Sequence, residues 1–159
     1  MVIRPAVETD VPAITRLVAQ HAQLGDVLPR DEPAIRASLA DWLVAELDGE
    51  VAACVSLLSY RSDLAEVRSL VVADAAKGRG LGSALVHALA VEANRRNIPR
   101  LFALTRSVPF FKRAGFDVTV KDDFPEKVWQ DCNLCPVRDH CDETAMVLWL
   151  DDVPHLGNS

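Results

Sequence analysis

The sequence predicts an α+β fold built on a mostly antiparallel sheet, and a run of closely spaced strands carries that prediction. Residues 42–47 and 51–58 alternate as strands around Asp48-Gly49, a pair typical of two-residue hairpin turns. Residues 64–72 form a third β-rich run directly afterwards. Strands joined at such short range pair as an antiparallel meander rather than through helical crossovers.

A second observation places one parallel pair in the sheet. Apolar residues recur at helical spacing over 80–96, and Asn97 and Pro99 end that pattern before a short apolar strand at 100–104. A strand–helix–strand passage of this kind closes as a right-handed parallel crossover. The chain is therefore of mixed α/β character around a mainly antiparallel core.

The remaining elements follow from local signals. Thr9 or Asp10 can cap a helix that carries Pro12 in its first turn, and Asp31 can cap a second, shorter helix. Gly115 follows a short helical stretch as a C-terminal glycine. The predicted order is β-α-α-β-β-β-α-β-α-β-β. Its outer elements are a strand at 2–4, a helix at 107–114, and strands at 116–120 and 144–150.

Composition places the chain among globular proteins of one domain. It has 159 residues, half of them hydrophobic and a quarter charged, so we expect a single domain over 1–150 and a polar tail at 151–159. No apolar run approaches the ~20 residues that span a bilayer, and the N-terminus lacks a signal-peptide pattern. We therefore expect a cytoplasmic protein without a membrane partner. A net charge of −6 without a basic block argues against nucleic acid.

The stretch between the third strand and the long helix has the features of an anion-binding loop. Lys77, Gly78, Arg79, Gly80 and Gly82 lie there. Glycines allow close approach of the backbone to a phosphate, and the free N–H groups at a helix start favour negative charge. The glycine spacing is G-x-G-x-G, which fits neither the dinucleotide fingerprint nor the nucleotide-triphosphate loop.

The spacing Lys77-x-x-Gly80-x-Gly82 resembles the signature of the GCN5-related N-acetyltransferases (GNAT), with lysine where glutamine or arginine is usual. The resemblance implies a twisted sheet of six to seven strands with helices on both faces, splayed between the fourth and fifth strands. It also implies acetyl-CoA as the acyl donor. In that arrangement the pyrophosphate lies on the loop, and the pantetheine arm lies along the preceding strand. The implied cofactor-binding residues are Leu70, Val71, Val72, Lys77, Gly78, Arg79, Gly80, Leu81, Gly82 and Ser83.

The resemblance also assigns the acid–base chemistry. Ala65-Glu66-Val67 matches the context in which histone-type members carry a glutamate as general base, so Glu66 is the catalytic candidate; a cross-strand ion pair is the alternative. The segment 107–116 resembles a motif in which a tyrosine protonates the departing thiolate. Phe111 occupies that position and cannot donate a proton, so the general acid is absent or supplied elsewhere.

Two arginines point to the acceptor. Glu66-Val67-Arg68-Ser69 and Leu104-Thr105-Arg106 resemble segments of the small bacterial N-acetylglutamate synthases, and an arginine fork suits a carboxylate. The resemblance implies a small-molecule amine acceptor, such as the amino acid glutamate. Two alternatives are a protein N-terminal or lysine acetyltransferase and a catalytically weak CoA-binding sensor. The oligomeric state stays open, with a homodimer among the expected arrangements.

A cysteine-bearing insertion at 121–143 precedes the last strand. Cys132, Cys135 and Cys141 lie within ten positions of one another, with His140 beside the last. Thiolates so spaced are typical of a Zn²⁺ site, with Cys54 as one candidate for a fourth ligand. An iron–sulfur centre, a redox dithiol and plain buried cysteines are the alternatives.

Overall fold

The computed structural model describes residues 1–23, 30–119 and 144–150. Within these ranges the elements follow the predicted order. They are β1 (Val2–Pro5), α1 (Val11–Gln23), α2 (Glu32–Ala37), β2 (Trp42–Leu47), β3 (Glu50–Arg61), β4 (Leu64–Val72), α3 (Leu81–Arg95), β5 (Arg100–Thr105), α4 (Val108–Arg113), β6 (Asp117–Thr119) and β7 (Thr144–Trp149).

The strands form a sheet of seven in the order β1-β2-β3-β4-β5-β7-β6, counted over the described ranges. β1 pairs with β2, β2 with β3, β5 with β7, and β6 with β7, all antiparallel. β4 and β5, the strands on either side of α3, pair in parallel through Ala65↔Leu101 and Glu66↔Phe102. The predicted α+β class, with one parallel crossover in a mostly antiparallel sheet, is confirmed.

The hairpin between β2 and β3 has the geometry that its sequence predicts. Asp48 and Gly49 both have positive φ, 55° and 83°, as a two-residue turn of type I′ requires. β3 extends to Arg61, three residues beyond the predicted strand. Ser62 and Asp63 alone then turn the chain into β4, so the second hairpin is as tight as the first.

The two predicted helix caps have different outcomes. The Ala34 N–H donates to Asp31 Oδ1 at 2.9 Å, so Asp31 caps α2 as predicted. Asp10 instead turns back toward β1. Its carboxylate accepts from the Val7 N–H at 2.8 Å and from both terminal nitrogens of Arg4 at 2.7 and 3.0 Å. The charge of Arg4 explains why this carboxylate does not cap α1.

The chain divides into two compact units, and β3 and β4 contribute to both. The first comprises 1–58 and 67–92, the second 59–66 and 93–159. Among the described residues, no helix is both long and apolar enough to cross a membrane. The core of the first unit contains Ala6, Val11, Ile14, Leu17, Val18, Ile35, Trp42, Val44, Cys54 and Val71; that of the second contains Leu64, Phe102 and Ala145, with Tyr60, Leu104 and Val147 packed against them.

Candidate active site

The predicted anion-binding loop lies in the first unit, between β4 and α3. Gly78 and Gly80 adopt φ values of 84° and 79°, a region that other residues rarely occupy. A Cβ added to either glycine would meet no atom within 4 Å. The glycines are thus required for the backbone conformation and not for packing within the protein. The space beside them is open to a ligand.

The side chains of this loop divide between solvent and core. Lys77, Arg79 and Ser83 are exposed, whereas Leu81 is 2% exposed and packs inward. Lys77 Nζ lies 3.1 Å from Asp74 Oδ1, and this contact holds the pKa of the Asp74 carboxyl below its usual value. Because the Leu81 side chain is buried, Leu81 can contact a cofactor only through its main chain.

β4 is interrupted in the middle by a left-handed residue, a feature that the sequence does not indicate. Ser69 has φ 53° inside the nine-residue strand, a left-handed conformation of the kind found in G1 bulges, and we call this interruption of β4 the bulge. Burial alternates from Val67 to the end of the strand: Val71 is 1% exposed and belongs to the core, and Leu70 and Val72 are half-buried. The bulge directly precedes the three residues that are predicted to line acetyl-CoA.

Glu66 lies in the second unit and is buried, with 2% of its surface exposed. The phenol of Tyr60 donates to Glu66 Oε1 at 2.8 Å, and the Tyr60 ring packs against Phe102 with centroids 5.7 Å apart. Sequence reasoning missed Tyr60. The available signal was that the single tyrosine of the chain precedes Glu66 by six residues across a tight turn.

The other predicted site residues have distinct environments. Arg68 is half-buried, and its carbonyl accepts from Ser56 Oγ at 3.2 Å. Arg106 is exposed in the bend directly after β5. Phe111 is 6% exposed and meets Phe110 and Phe116 edge-to-face, with centroids 5.0 and 5.1 Å away. The phenylalanine at the position of the usual tyrosine therefore fills an aromatic cluster.

Cys132, Cys135 and Cys141 lie outside the described residues. Cys54 is fully buried in β3, and its thiol donates to the Ser69 carbonyl at 3.6 Å. Burial raises the pKa of Cys54 to about 12. Cys54 as a fourth ligand stays a prediction, because the other three cysteines lie outside the described ranges. Within 1–23, 30–119 and 144–150, no three His, Cys, Asp or Glu residues are grouped to hold a metal.

A sheet with one parallel crossover, a glycine loop before α3 and a bulged strand before that loop define an acetyltransferase of the GNAT type. The model of the Acetyltransferase (GNAT) family matches residues 15–116. An uncharacterized N-acetyltransferase of Chlorobaculum tepidum, CT2212, is 37% identical over 145 residues, which cover 91% of this chain and 94% of the relative. The chain belongs to the GNAT family and is an acetyl-CoA-dependent N-acetyltransferase.

The names of two further relatives refer to amino acids or to an acetylated amino acid. An amino-acid acetyltransferase of Mycobacterium tuberculosis is 37% identical over 119 residues, covering 72% of this chain and 67% of the relative. The crystal structure of N-acetylglutamate synthase from Neisseria gonorrhoeae, complexed with coenzyme A and N-acetyl-glutamate, superposes with a TM-score of 0.83 at 26% identity. It covers 94% of this chain and 35% of that protein. The predicted likeness to the N-acetylglutamate synthases is confirmed.

Proposed function

We propose that this enzyme acetylates the α-amine of a free amino acid, with glutamate as the first candidate. One observation carries the proposal. The chain is similar, over most of its length, to an amino-acid acetyltransferase and to a synthase crystallised with coenzyme A and N-acetyl-glutamate. Arg68 and Arg106 carry positive charges of the kind that binds the carboxylate of an acceptor.

The donor is assigned to the first unit. The pyrophosphate of acetyl-CoA lies on the main chain of 77–83, where left-handed Gly78 and Gly80 precede the free N–H groups of α3. Lys77, Arg79 and Ser83 are the exposed side chains available to its phosphates. The thioester follows the backbone of Leu70, Val71 and Val72, and the Leu70 N–H donates to the acetyl carbonyl. That donor stabilises the negative charge on the oxygen when the amine adds to the carbon.

Glu66 is assigned as the general base, acting directly or through water. The acceptor ammonium must lose one proton before its nitrogen can form a bond to the acetyl carbon. The Tyr60 hydrogen bond fixes the rotamer of the Glu66 carboxylate, which is an advantage for a base that must accept a proton from one direction. As the tetrahedral intermediate collapses, the nitrogen loses its second proton to water, the C–S bond breaks, and CoA leaves as a thiolate that takes a proton from water.

A panel of acceptors tests this function. Thiol release from acetyl-CoA is followed with glutamate, glutamine, aspartate, alanine, lysine, a polyamine and a peptide, and each product is identified by mass. We expect free amino acids with a second carboxylate or amide to give the highest kcat/KM. Preferential acetylation of the peptide would reject the free amino acid as acceptor and would indicate a protein acetyltransferase. Gly80→Asp is the control that should abolish release with every acceptor.

The cysteine-bearing segment carries a separate part of the proposal. Cys132, Cys135 and Cys141 bind Zn²⁺ in a structural role, since three thiolates at this spacing suit that metal. Elemental analysis of the purified protein tests it, with the Cys132→Ser/Cys135→Ser double variant as control. Less than one equivalent of zinc per chain in both proteins would reject the site.

A further inference from the structure

Two consecutive carbonyls of β4 face the same neighbouring strand. Arg68 O accepts from Ser56 Oγ at 3.2 Å, and Ser69 O accepts from the Cys54 thiol at 3.6 Å. In a regular strand, successive carbonyls point to opposite edges. The left-handed conformation of Ser69, φ 53°, turns the second carbonyl to the side of the first. The side chains of Ser56 and Cys54 in β3 therefore donate hydrogen bonds to the two carbonyls that flank the bend at Ser69.

The sulfur of Cys54 also receives a hydrogen bond from the Val71 N–H. The Cys54 side chain therefore contacts both the Ser69 carbonyl and the Val71 N–H, the main-chain groups on either side of Leu70. Both groups face β3. Because main-chain groups alternate along a strand, the Leu70 N–H then faces away from β3. This is the N–H that is assigned above to the acetyl carbonyl.

The environment of Cys54 favours stable hydrogen bonds to these two main-chain groups. The side chain is 0% exposed, so water does not compete with the Ser69 carbonyl for the thiol proton. Ser56, two positions along β3 and 8% exposed, lies on the same face of the strand. A left-handed non-glycine residue costs on the order of 1 kcal/mol or more, so the bulge needs such support from its surroundings.

We propose that Cys54 and Ser56 are positioning residues for acetyl transfer: they hold the bulge at Arg68–Ser69 so that the Leu70 N–H stays directed at the acetyl carbonyl. This inference rests on the donor site proposed above. It assigns a role in the reaction to two buried residues of a neighbouring strand. Neither residue needs to touch the cofactor.

The test compares the binding of acetyl-CoA with that of CoA, which lacks the acetyl carbonyl. Calorimetry gives both dissociation constants for the wild type, Cys54→Ala, Cys54→Ser and Ser56→Ala. We expect Cys54→Ala and Ser56→Ala to weaken acetyl-CoA about tenfold relative to CoA, the size of one lost hydrogen bond. Cys54→Ser keeps a donor and an acceptor at that position and should retain most of the wild-type preference.

Val55→Ala is the matched control, because Val55 is 0% exposed on the same strand and its side chain has no donor or acceptor. It should lower the melting temperature and leave the acetyl-CoA/CoA ratio unchanged. An unchanged ratio in folded Cys54→Ala, or an equal change in Val55→Ala, would overturn the inference. Should Cys54→Ala not fold, Ser56→Ala and Cys54→Ser decide the question. A wild type that binds neither ligand would instead reject the donor site itself.

Discussion

The phenol of Tyr60 donates a hydrogen bond to the buried carboxylate of Glu66, with Oη and Oε1 2.8 Å apart. Tyr60 is the penultimate residue of β3 and Glu66 is the third residue of β4, so the tight turn at 62–63 brings them together. The pair gives the proposed base a fixed orientation. Tyr60 also holds its ring against Phe102, which means that the hydroxyl can be removed without removing the packing.

Tyr60→Phe tests whether this orientation matters for turnover. The substitution keeps the ring and deletes the donor, so we expect a stability loss of about 1 kcal/mol. We also expect a fall in kcat that is smaller than the fall caused by Glu66→Gln. Urea denaturation and steady-state kinetics measure the two effects. An unchanged kcat in a folded Tyr60→Phe protein would limit the pair to a structural role.

Glu66→Gln should lower kcat mostly below about pH 8, where an acceptor ammonium most needs a base to remove its proton. At higher pH more of the acceptor is already unprotonated, so the difference from wild type should narrow. The ratio of mutant to wild-type kcat, measured from pH 6 to pH 10, checks the expectation. A ratio that stays flat over this range would count against the base role.

Gly80→Asp should abolish the binding of acetyl-CoA, and Gly80→Ala should only weaken it. Both substitutions force a side chain onto a backbone with φ 79°, at a cost of about 1 kcal/mol. Neither creates a clash within the protein, since the space beside Gly80 is open. The aspartate adds a negative charge beside the diphosphate. Calorimetry that finds equal affinities for the two variants would reject the placement of the diphosphate at this loop.

Sequence patterns predicted those features whose causes are local. Asp48-Gly49 predicted a hairpin because the turn itself demands left-handed residues, and Gly78 and Gly80 marked the loop for the same reason. The bulge at Ser69 could not be predicted, because serine has no preference for φ 53° and the support comes from the side chains of another strand. Likewise, the role of Phe111 became clear only from its aromatic neighbours.

Asp10 should contribute stability that depends on pH. The hydrogen bond from Arg4 lowers the pKa of Asp10 below its usual value, so the folded state favours the ionised form. The contribution is therefore complete above the unfolded-state pKa of about 4 and is lost as pH falls through the lowered folded-state value. Asp10→Asn should cost about 2 kcal/mol at pH 7, and the difference from wild type should shrink toward pH 2.

Urea denaturation at the two pH values checks this, with Glu8→Gln as the control. Glu8 also pairs with an arginine, Arg36, but its side chain is 62% exposed, so its loss should change stability by less than about 0.5 kcal/mol at either pH. A cost for Asp10→Asn that is the same at pH 7 and pH 2 would show that charge is not the source of its contribution.

Arg106→Gln should raise the KM for a dicarboxylic amino acid about tenfold while leaving the KM for acetyl-CoA unchanged, because a fork that binds a carboxylate acts on the acceptor alone. Arg113→Gln is the matched control: Arg113 is also exposed and lies seven residues further along the chain. Steady-state kinetics with glutamate as acceptor and with its amide, glutamine, locates the contact. A loss confined to glutamate assigns Arg106 to the side-chain carboxylate, and an equal loss with both assigns it to the α-carboxylate that they share. If Arg113→Gln raised the acceptor KM as much as Arg106→Gln, the effect would be one of overall charge, and the assignment of Arg106 would be wrong.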